Sequence, residues 1–586
     1  MAEIRYRVEI EDARSHCFVV TLTIPAPDTE QIVSLPAWIP GSYLLREFAR
    51  HLNDLRASQG GQPRELAQLD KATWRIRCAG RAALRLRYRV YAFDTSVRAA
   101  YLDAQRGFFN GSSLLLRVHG RETQPQALEL GRLPTGWQLA TAMPATGARR
   151  YRAADYDELV DHPFELGPFW RGRFDAHGVE HEFIVAGALP VFDGERLLAD
   201  ARRICETQIE FWHGRRRDRE APPFQRYTFL LNAVDEGGGG LEHRASTALI
   251  APRRDLPRLG QGEAGDGYVR LLSLISHEYF HSWNVKRLRP AEFAQIDYTR
   301  ENYTELLWFF EGFTSYYDEL LLLRAGLIDL PRYLKLLAAN VSSVLAAPGR
   351  KQQSLAQSSF DAWVRYYRQD ENTPNSTVSY YAKGALLALA LDLSLRSGSD
   401  ARAASSVDAL MRRLWQRSGG GPVSEADILA GVEALGGAAL AGQLRDWVHG
   451  TEDLPLPALL ERFGVQWRDE KPNLAQRLGL RVAEGGNGVA IKQVLADSAA
   501  QAAGFCAGDE IIGCNSWRLR RLDEALLGLN PAAPGRLRFL LARDQRLLEL
   551  DAELPSVRPG MAPVALGPAD RPPARALGLR RAWLGG

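Results

Sequence analysis

Between Ile4 and Ile10 every second residue is apolar, with Arg5, Arg7 and Glu9 between. The same two-residue period returns at Val20, Leu22 and Ile24, and at Leu84, Leu86, Tyr88 and Val90. Successive side chains of an extended chain point to opposite faces, so each such strand has one apolar and one polar face. Strands of this kind form antiparallel sheets packed on one side, and residues 1–175 are expected to be an all-β domain, a β-sandwich. Beyond about residue 180 the pattern mixes. Tyr227, Phe229 and Leu231 mark a strand leading to the glycines 237–240. From Tyr268 to Trp283 and from Thr304 to Arg324 the apolar spacing turns helical, and helical patterns continue to about residue 460. A chain of 586 residues whose period changes in this way exceeds one core, and a multidomain α+β architecture follows.

A β-rich unit is expected over 474–555, with a strand at 489–494, a short alanine-rich helix at 498–503 and Gly504 as its stop. A helix near 522–527 and two strands, 537–541 and 547–550, complete it. The tail, 556–586, is rich in proline, glycine and alanine and is expected to be loosely ordered. The divisions are therefore 1–175, 176–330, 331–465, 474–555 and 556–586. Apolar residues make up 46%, charged residues 24%, and the net charge is +3, an ordinary globular balance that gives no case for a nucleic acid or membrane partner. Arg215, Arg216 and Arg217 form a basic run that reads as a solvated segment. Arginine far outnumbers lysine, which points to a GC-rich, bacterial coding sequence. The five cysteines are scattered without a CxxC pair, so neither a disulfide framework nor a thiolate metal site is expected. Met1–Ile10 has no secretory apolar core and no run of 18 apolar residues occurs, so a cytoplasmic location is expected.

The chemistry concentrates at His277-Glu278-Tyr279-Phe280-His281. Residues four apart share one helix face, so both imidazoles can meet one ion. Glu278 then stands beside that ion without binding it, placed to take a proton from a water. Val269, Leu272 and Ile275 supply the apolar face of the helix. A catalytic zinc needs a third protein ligand. Glu305 and Glu311 are the candidates, and Glu311, set among Trp308, Phe309, Phe310 and Phe313, is the better one, because a carboxylate buried there needs a partner. Asp318 and Glu319, further along the same stretch, could orient a ligating histidine.

These residues resemble the gluzincin metallopeptidases, in which a glutamate on the next helix completes the histidine pair. The stretches 277–290 and 310–317, with Phe360-Asp361-Ala362-Trp363, Asp370-Glu371-Asn372 and Ser379-Tyr380-Tyr381-Ala382-Lys383-Gly384, are similar to the glycyl aminopeptidase family, over about residues 30–555. The resemblance implies a thermolysin-like catalytic domain with a helical subdomain and one Zn2+ per chain, held by His277, His281 and Glu311. It implies removal of small first residues, Gly or Ala, from peptides with a free N-terminus. Gly239-Gly240-Leu241-Glu242-His243 resembles the exopeptidase segment of the aminopeptidase N enzymes, where a strand edge lies along the substrate and a glutamate holds the α-amine. Glu242 is the matching residue, with Gly239 and Gly240 in the strand edge, and His243 stands where that pattern has Asn. Tyr381 matches the tyrosine that stabilises the oxyanion there, with Tyr380 adjacent. The unit 474–555 resembles a PDZ domain through Leu478-Gly479-Leu480 and 507–512, which implies capture of a peptide C-terminus. An endopeptidase, a hydrolase of a non-peptide substrate and a peptide-binding adaptor stay open beside the aminopeptidase. Oligomeric state is not legible.

Overall fold

The computed structural model describes residues 3–214, 221–398, 405–485, 488–528, 535–557 and 561–585; the run Arg215–Arg217 lies outside them. The chain forms two compact units. One comprises Met1–Asn302 with Gly420–Pro422, the other Tyr303–Gly419 with Val423–Gly586.

The first unit opens with the expected β-rich domain. Its largest sheet has eight strands, in the order Ala145–Gly147, Arg150–Ala153, Gln126–Leu130, Ile4–Ile10, Cys17–Ile24, Leu84–Tyr91, Leu52–Gln59, Gln62–Pro63. Ile4–Ile10 pairs antiparallel with Cys17–Ile24 and parallel with Gln126–Leu130. The alternation reads directly into burial: Leu84, Leu86, Tyr88 and Val90 are buried while Arg85, Arg87 and Arg89 are exposed. Two four-stranded sheets complete this domain.

A five-stranded sheet follows, in the order Phe169–Ala176, Val179–Ala186, Arg226–Val234, Ser246–Pro252, Gly239–Glu242. Phe169–Ala176 belongs to it, so a boundary at 175 would cut a strand; the sheet begins at Phe169. The three inner strands are parallel, which a crossover helix must connect. Gly194–His213 is that helix between the first two, buried along Leu197, Ala201, Ile204 and Ile209. The edge strand Gly239–Glu242 returns antiparallel to Ser246–Pro252, and the helix Asp266–Phe280 packs on both.

The second unit is helical and then β-rich. Ala382–Gly398 is buried on every side from Lys383 to Leu393, as a helix apolar all round must be. The PDZ region has the sheet order Leu480–Gly485, Gly488–Val494, Glu510–Cys514, Arg536–Arg543, Arg546–Glu553, with its own core around Leu480, Ile491, Ile511, Phe539 and Leu541. Ser498 caps the helix Ala499–Ala503 and Gly504 ends it in the left-handed conformation.

The tail departs from the expectation of loose order. Val564–Pro568 pairs antiparallel with Val465–Asp469, and Ala574–Gly585 is a helix. Trp583 on that helix is fully buried, donates from Nε1 to Tyr316 Oη at 3.0 Å and packs on Tyr333 and Phe463. Composition misleads here because one buried indole and a strand pairing anchor a segment that is otherwise poor in large apolar residues. Among the described residues no helix is long and apolar enough to cross a membrane.

Candidate active site

The helix Asp266–Phe280 presents the histidine pair in its last turn. Val269, Leu272 and Ile275 are buried, as their spacing requires. The helix ends at His281, short of the expected Trp283. Val285 takes φ 120, which a β-branched residue rarely adopts, and its N–H donates to Leu288 O at 2.8 Å, so the chain turns sharply there. That turn supplies a partner to the site: His281 Nδ1 donates to Asn284 O at 2.7 Å, which leaves Nε2 as the acceptor. His281 Nε2 and His277 Nε2 are 3.0 Å apart. Two nitrogens about 2.0–2.1 Å from one tetrahedral ion stand roughly 3.4 Å from each other, so the pair is close to a ligating separation. The third expected ligand, Glu311, lies in the second unit. Two imidazoles and one carboxylate are a donor set that suits zinc.

Glu278 is 5% exposed and lies against the edge strand. A Cβ on Gly240 would stand 2.1 Å from Glu278 Oε1, so the Glu278 carboxylate touches the strand only because residue 240 has no side chain. Thr247 Oγ1, on the neighbouring strand, is 3.5 Å from Glu278 Oε2. Gly239 sits at φ 134, again a glycine conformation, and Arg98 donates to Gly240 O at 3.3 Å.

Glu242 ends the edge strand, opposite Thr247, and is 4% exposed. Gly240 and Glu242 are two apart on an extended chain and therefore share one face. His243 is buried, with Nδ1 3.3 Å from Asp161 Oδ1. Asp161 also meets Lys286 Nζ at 2.7 Å and accepts from Arg244 N at 2.9 Å. Burial alone would raise its pKa; Lys286 and His243 outweigh that and hold the carboxyl well below the usual range. Asp161 thus ties the end of the edge strand to the segment after the histidine helix. Sequence reading missed Asp161 and Thr247, since neither lies in a motif.

In the second unit the stretch expected as one helix from Thr304 to Arg324 is two, Leu307–Phe310 and Gly312–Arg324, with Glu311 at the break. Gly312 follows that break. A Cβ there would stand 2.6 Å from Gly384 Cα and 2.8 Å from Tyr380 O, so two helices meet backbone to backbone just beside Glu311. Glu311 is 2% exposed. Tyr381 lies in the same unit, in a cluster with Tyr366 and Tyr380 at centroid distances of 5.4 and 4.7 Å. Tyr380 is fully buried, while Tyr381 keeps partial exposure. Burial pushes the Tyr381 phenol well above its usual value and the Glu311 charge adds to this, so the proton stays on it. Glu319 is raised to about 8 by burial and by Asp318.

A histidine pair one helical turn apart, with a glutamate directly after the first histidine, is the signature of a zinc metallopeptidase. Residues 5–168 match the Peptidase M61 N-terminal domain, 270–387 the M61 glycyl aminopeptidase and 466–529 the PDZ domain. A solved structure of an aminopeptidase N family protein from Idiomarina loihiensis is 37% identical, with a TM-score of 0.92, over 99% of this chain and 100% of that one. An M1 zinc metallopeptidase from Deinococcus radiodurans is 17% identical over 78% of this chain and 95% of that one, with a TM-score of 0.47. No curated protein matches the chain. The chain belongs to the M61 glycyl aminopeptidase family. It is a zinc metalloaminopeptidase, a hydrolase.

Proposed function

We propose that this enzyme removes single small residues, Gly or Ala, from the free N-terminus of peptides, with Zn2+ held by His277, His281 and Glu311. When bound, zinc acts as a Lewis acid and makes water a nucleophile near neutral pH. Glu278 takes a proton from the attacking water and later passes it to the leaving amine. Glu242 pairs with the α-ammonium, an interaction that an internal or acetylated amide cannot make. Gly239 and Gly240 let the substrate backbone run close along the strand edge. Tyr381 donates its hydroxyl to the oxyanion; burial keeps the proton on the phenol, and its partial exposure beside the fully buried Tyr380 supports this choice.

The observation that supports the exopeptidase reading is the placement of Glu278 and Glu242 along one face of the edge strand, the first from the helix and the second from the strand itself. Glu278 packs on Gly240, and Glu242 lies two residues along on the same face. Two residues of strand span about 7 Å, the reach of one amino acid between its ammonium and its carbonyl with a hydrogen bond at each end.

The test is steady-state hydrolysis of Gly- and Ala-anilides and their N-acetyl counterparts by wild type, chelated protein and Glu278→Gln. Cleavage of free-amine substrates alone is expected, lost on chelation, restored by zinc and reduced about 10²–10⁴-fold in the variant. Equal cleavage of the acetylated substrates would replace this reading with an endopeptidase.

A further inference from the structure

In the first unit the carboxylate of Glu242 lies directly beneath the loop Trp38-Ile39-Pro40-Gly41-Ser42-Tyr43. A Cβ on Gly41 would stand 2.4 Å from Glu242 Oε1, 2.7 Å from Cδ and 2.7 Å from Oε2. No side chain fits in that contact, and Gly41 also holds φ 93, where any other residue is strained. The loop is well anchored. Trp38 Nε1 donates to Asp297 O at 2.8 Å, Ala37 N to Tyr298 O at 2.8 Å, and Arg46 Nη2 to Ser42 Oγ at 2.8 Å. It therefore acts as a fixed wall against the carboxylate and not as a yielding cover.

The same loop, with Glu242, His243 and Phe293, lines a cavity of about 50 Å³. That is room for a few water-sized groups, an ammonium with at most a short substituent. Glu242 Oε1 is buried and has no hydrogen-bond partner among the described residues, and the same holds for His243 Nε2. A buried carboxylate oxygen in that state is costly until a cation meets it.

We propose that Gly41 is a positioning residue for the substrate: by letting the Trp38–Tyr43 loop press on Glu242, it fixes the carboxylate where a peptide α-ammonium is received. This rests on the role proposed for Glu242. The consequence is that a residue of the β-rich domain, 201 positions upstream in sequence, sets the affinity for the free N-terminus without touching the reacting bond.

The test is a double-mutant cycle on Gly- and Ala-anilide hydrolysis with Gly41→Ala, Glu242→Gln and both together. Gly60→Ala serves as control, since Gly60 also has a positive φ but nothing within 4 Å of the added Cβ. Expected are a rise in KM of about tenfold or more for each single variant with kcat within about threefold, and little further change in the double variant. Gly60→Ala should leave KM unmoved. If Gly41→Ala does not fold, Trp38→Phe, which removes the anchor to Asp297, takes its place with the same expectation. Multiplying KM effects, or an unchanged KM in the loop variant beside a raised one in Glu242→Gln, overturns the role of Gly41 alone. An unchanged KM in Glu242→Gln overturns the role of Glu242, and that of Gly41 with it.

Discussion

At the residue scale, the contacts around Glu278 and Tyr381 leave little freedom in the chemistry they can perform. Glu278 has Gly240 on one side and Thr247 on the other, so its carboxylate is held on the strand edge. Tyr381 keeps its proton because burial and the Glu311 charge both oppose ionisation. A phenol in that state keeps a proton to donate to a developing oxyanion. Tyr381→Phe is expected to lower kcat about 10²–10³-fold with KM changed far less, as removal of an oxyanion donor does elsewhere. Steady-state kinetics with zinc content measured in parallel check it; an unchanged kcat would shift the donor role away from Tyr381.

Elements place these residues. The edge strand can approach the histidine helix only at a residue without a Cβ, so Gly240→Ala must displace Glu278. A displacement of about 1 Å costs on the order of 10²-fold in rate, and kcat should fall by that much while zinc binding persists. The helix is also tied to the sheet through His181, fully buried on Val179–Ala186. His181 Nδ1 donates to Val179 O at 2.9 Å, and Nε2 accepts from Tyr279 Oη at 2.9 Å. Burial lowers its pKa to about 4, from an ordinary value of 6.5. Between those values the unfolded chain binds a proton that the fold does not, so stability rises with pH across that window. Below about 4 the full penalty applies, on the order of 3 kcal/mol. The melting temperature should therefore fall as pH drops from 6.5 to 4. His181→Gln should flatten this slope while lowering stability at pH 7; a slope unaffected by the substitution would place the acid sensitivity elsewhere.

At the scale of the whole molecule, the last helix closes a buried network within the second unit. Tyr316 donates to Asp392 at 2.7 Å, Tyr317 to Asp408 at 2.8 Å, and Arg396 bridges both carboxylates. Arg324 and Arg396 also donate to the carbonyls of Trp583 and Ala582, at 2.9 and 2.6 Å. Two aspartates and two arginines balance, and satisfied charges of this kind are costly to disturb one at a time. Trp583 sits in the middle, so Trp583→Ala is expected to cost about 3–5 kcal/mol, read as a lower urea midpoint. A midpoint shift below about 1 kcal/mol would mean that the tail is only loosely docked.

The sequence by itself determined what depends on neighbours a few residues apart. His277 and His281 meet because a helix repeats every 3.6 residues, and the strands at Ile4–Ile10 and Leu84–Tyr91 follow from a period of two. The fold class and the β-rich unit at 474–555 were legible for the same reason, through local periodicity and turn glycines such as Gly504, while the likeness of that unit to a PDZ domain rested on Leu478-Gly479-Leu480 and 507–512. Tertiary structure decided what depends on distant segments. Gly312 meets Gly384 beside the break at Glu311, Asp161 holds His243 and Lys286, and burial in a distant network orders the tail around Trp583. Gly41 and Glu242 show the limit most clearly: nothing in either local pattern records that one must lack a side chain for the other to have its place. Periodicity is written in the chain as hydrophobic spacing, whereas a steric contact between remote residues exists only once the chain has folded.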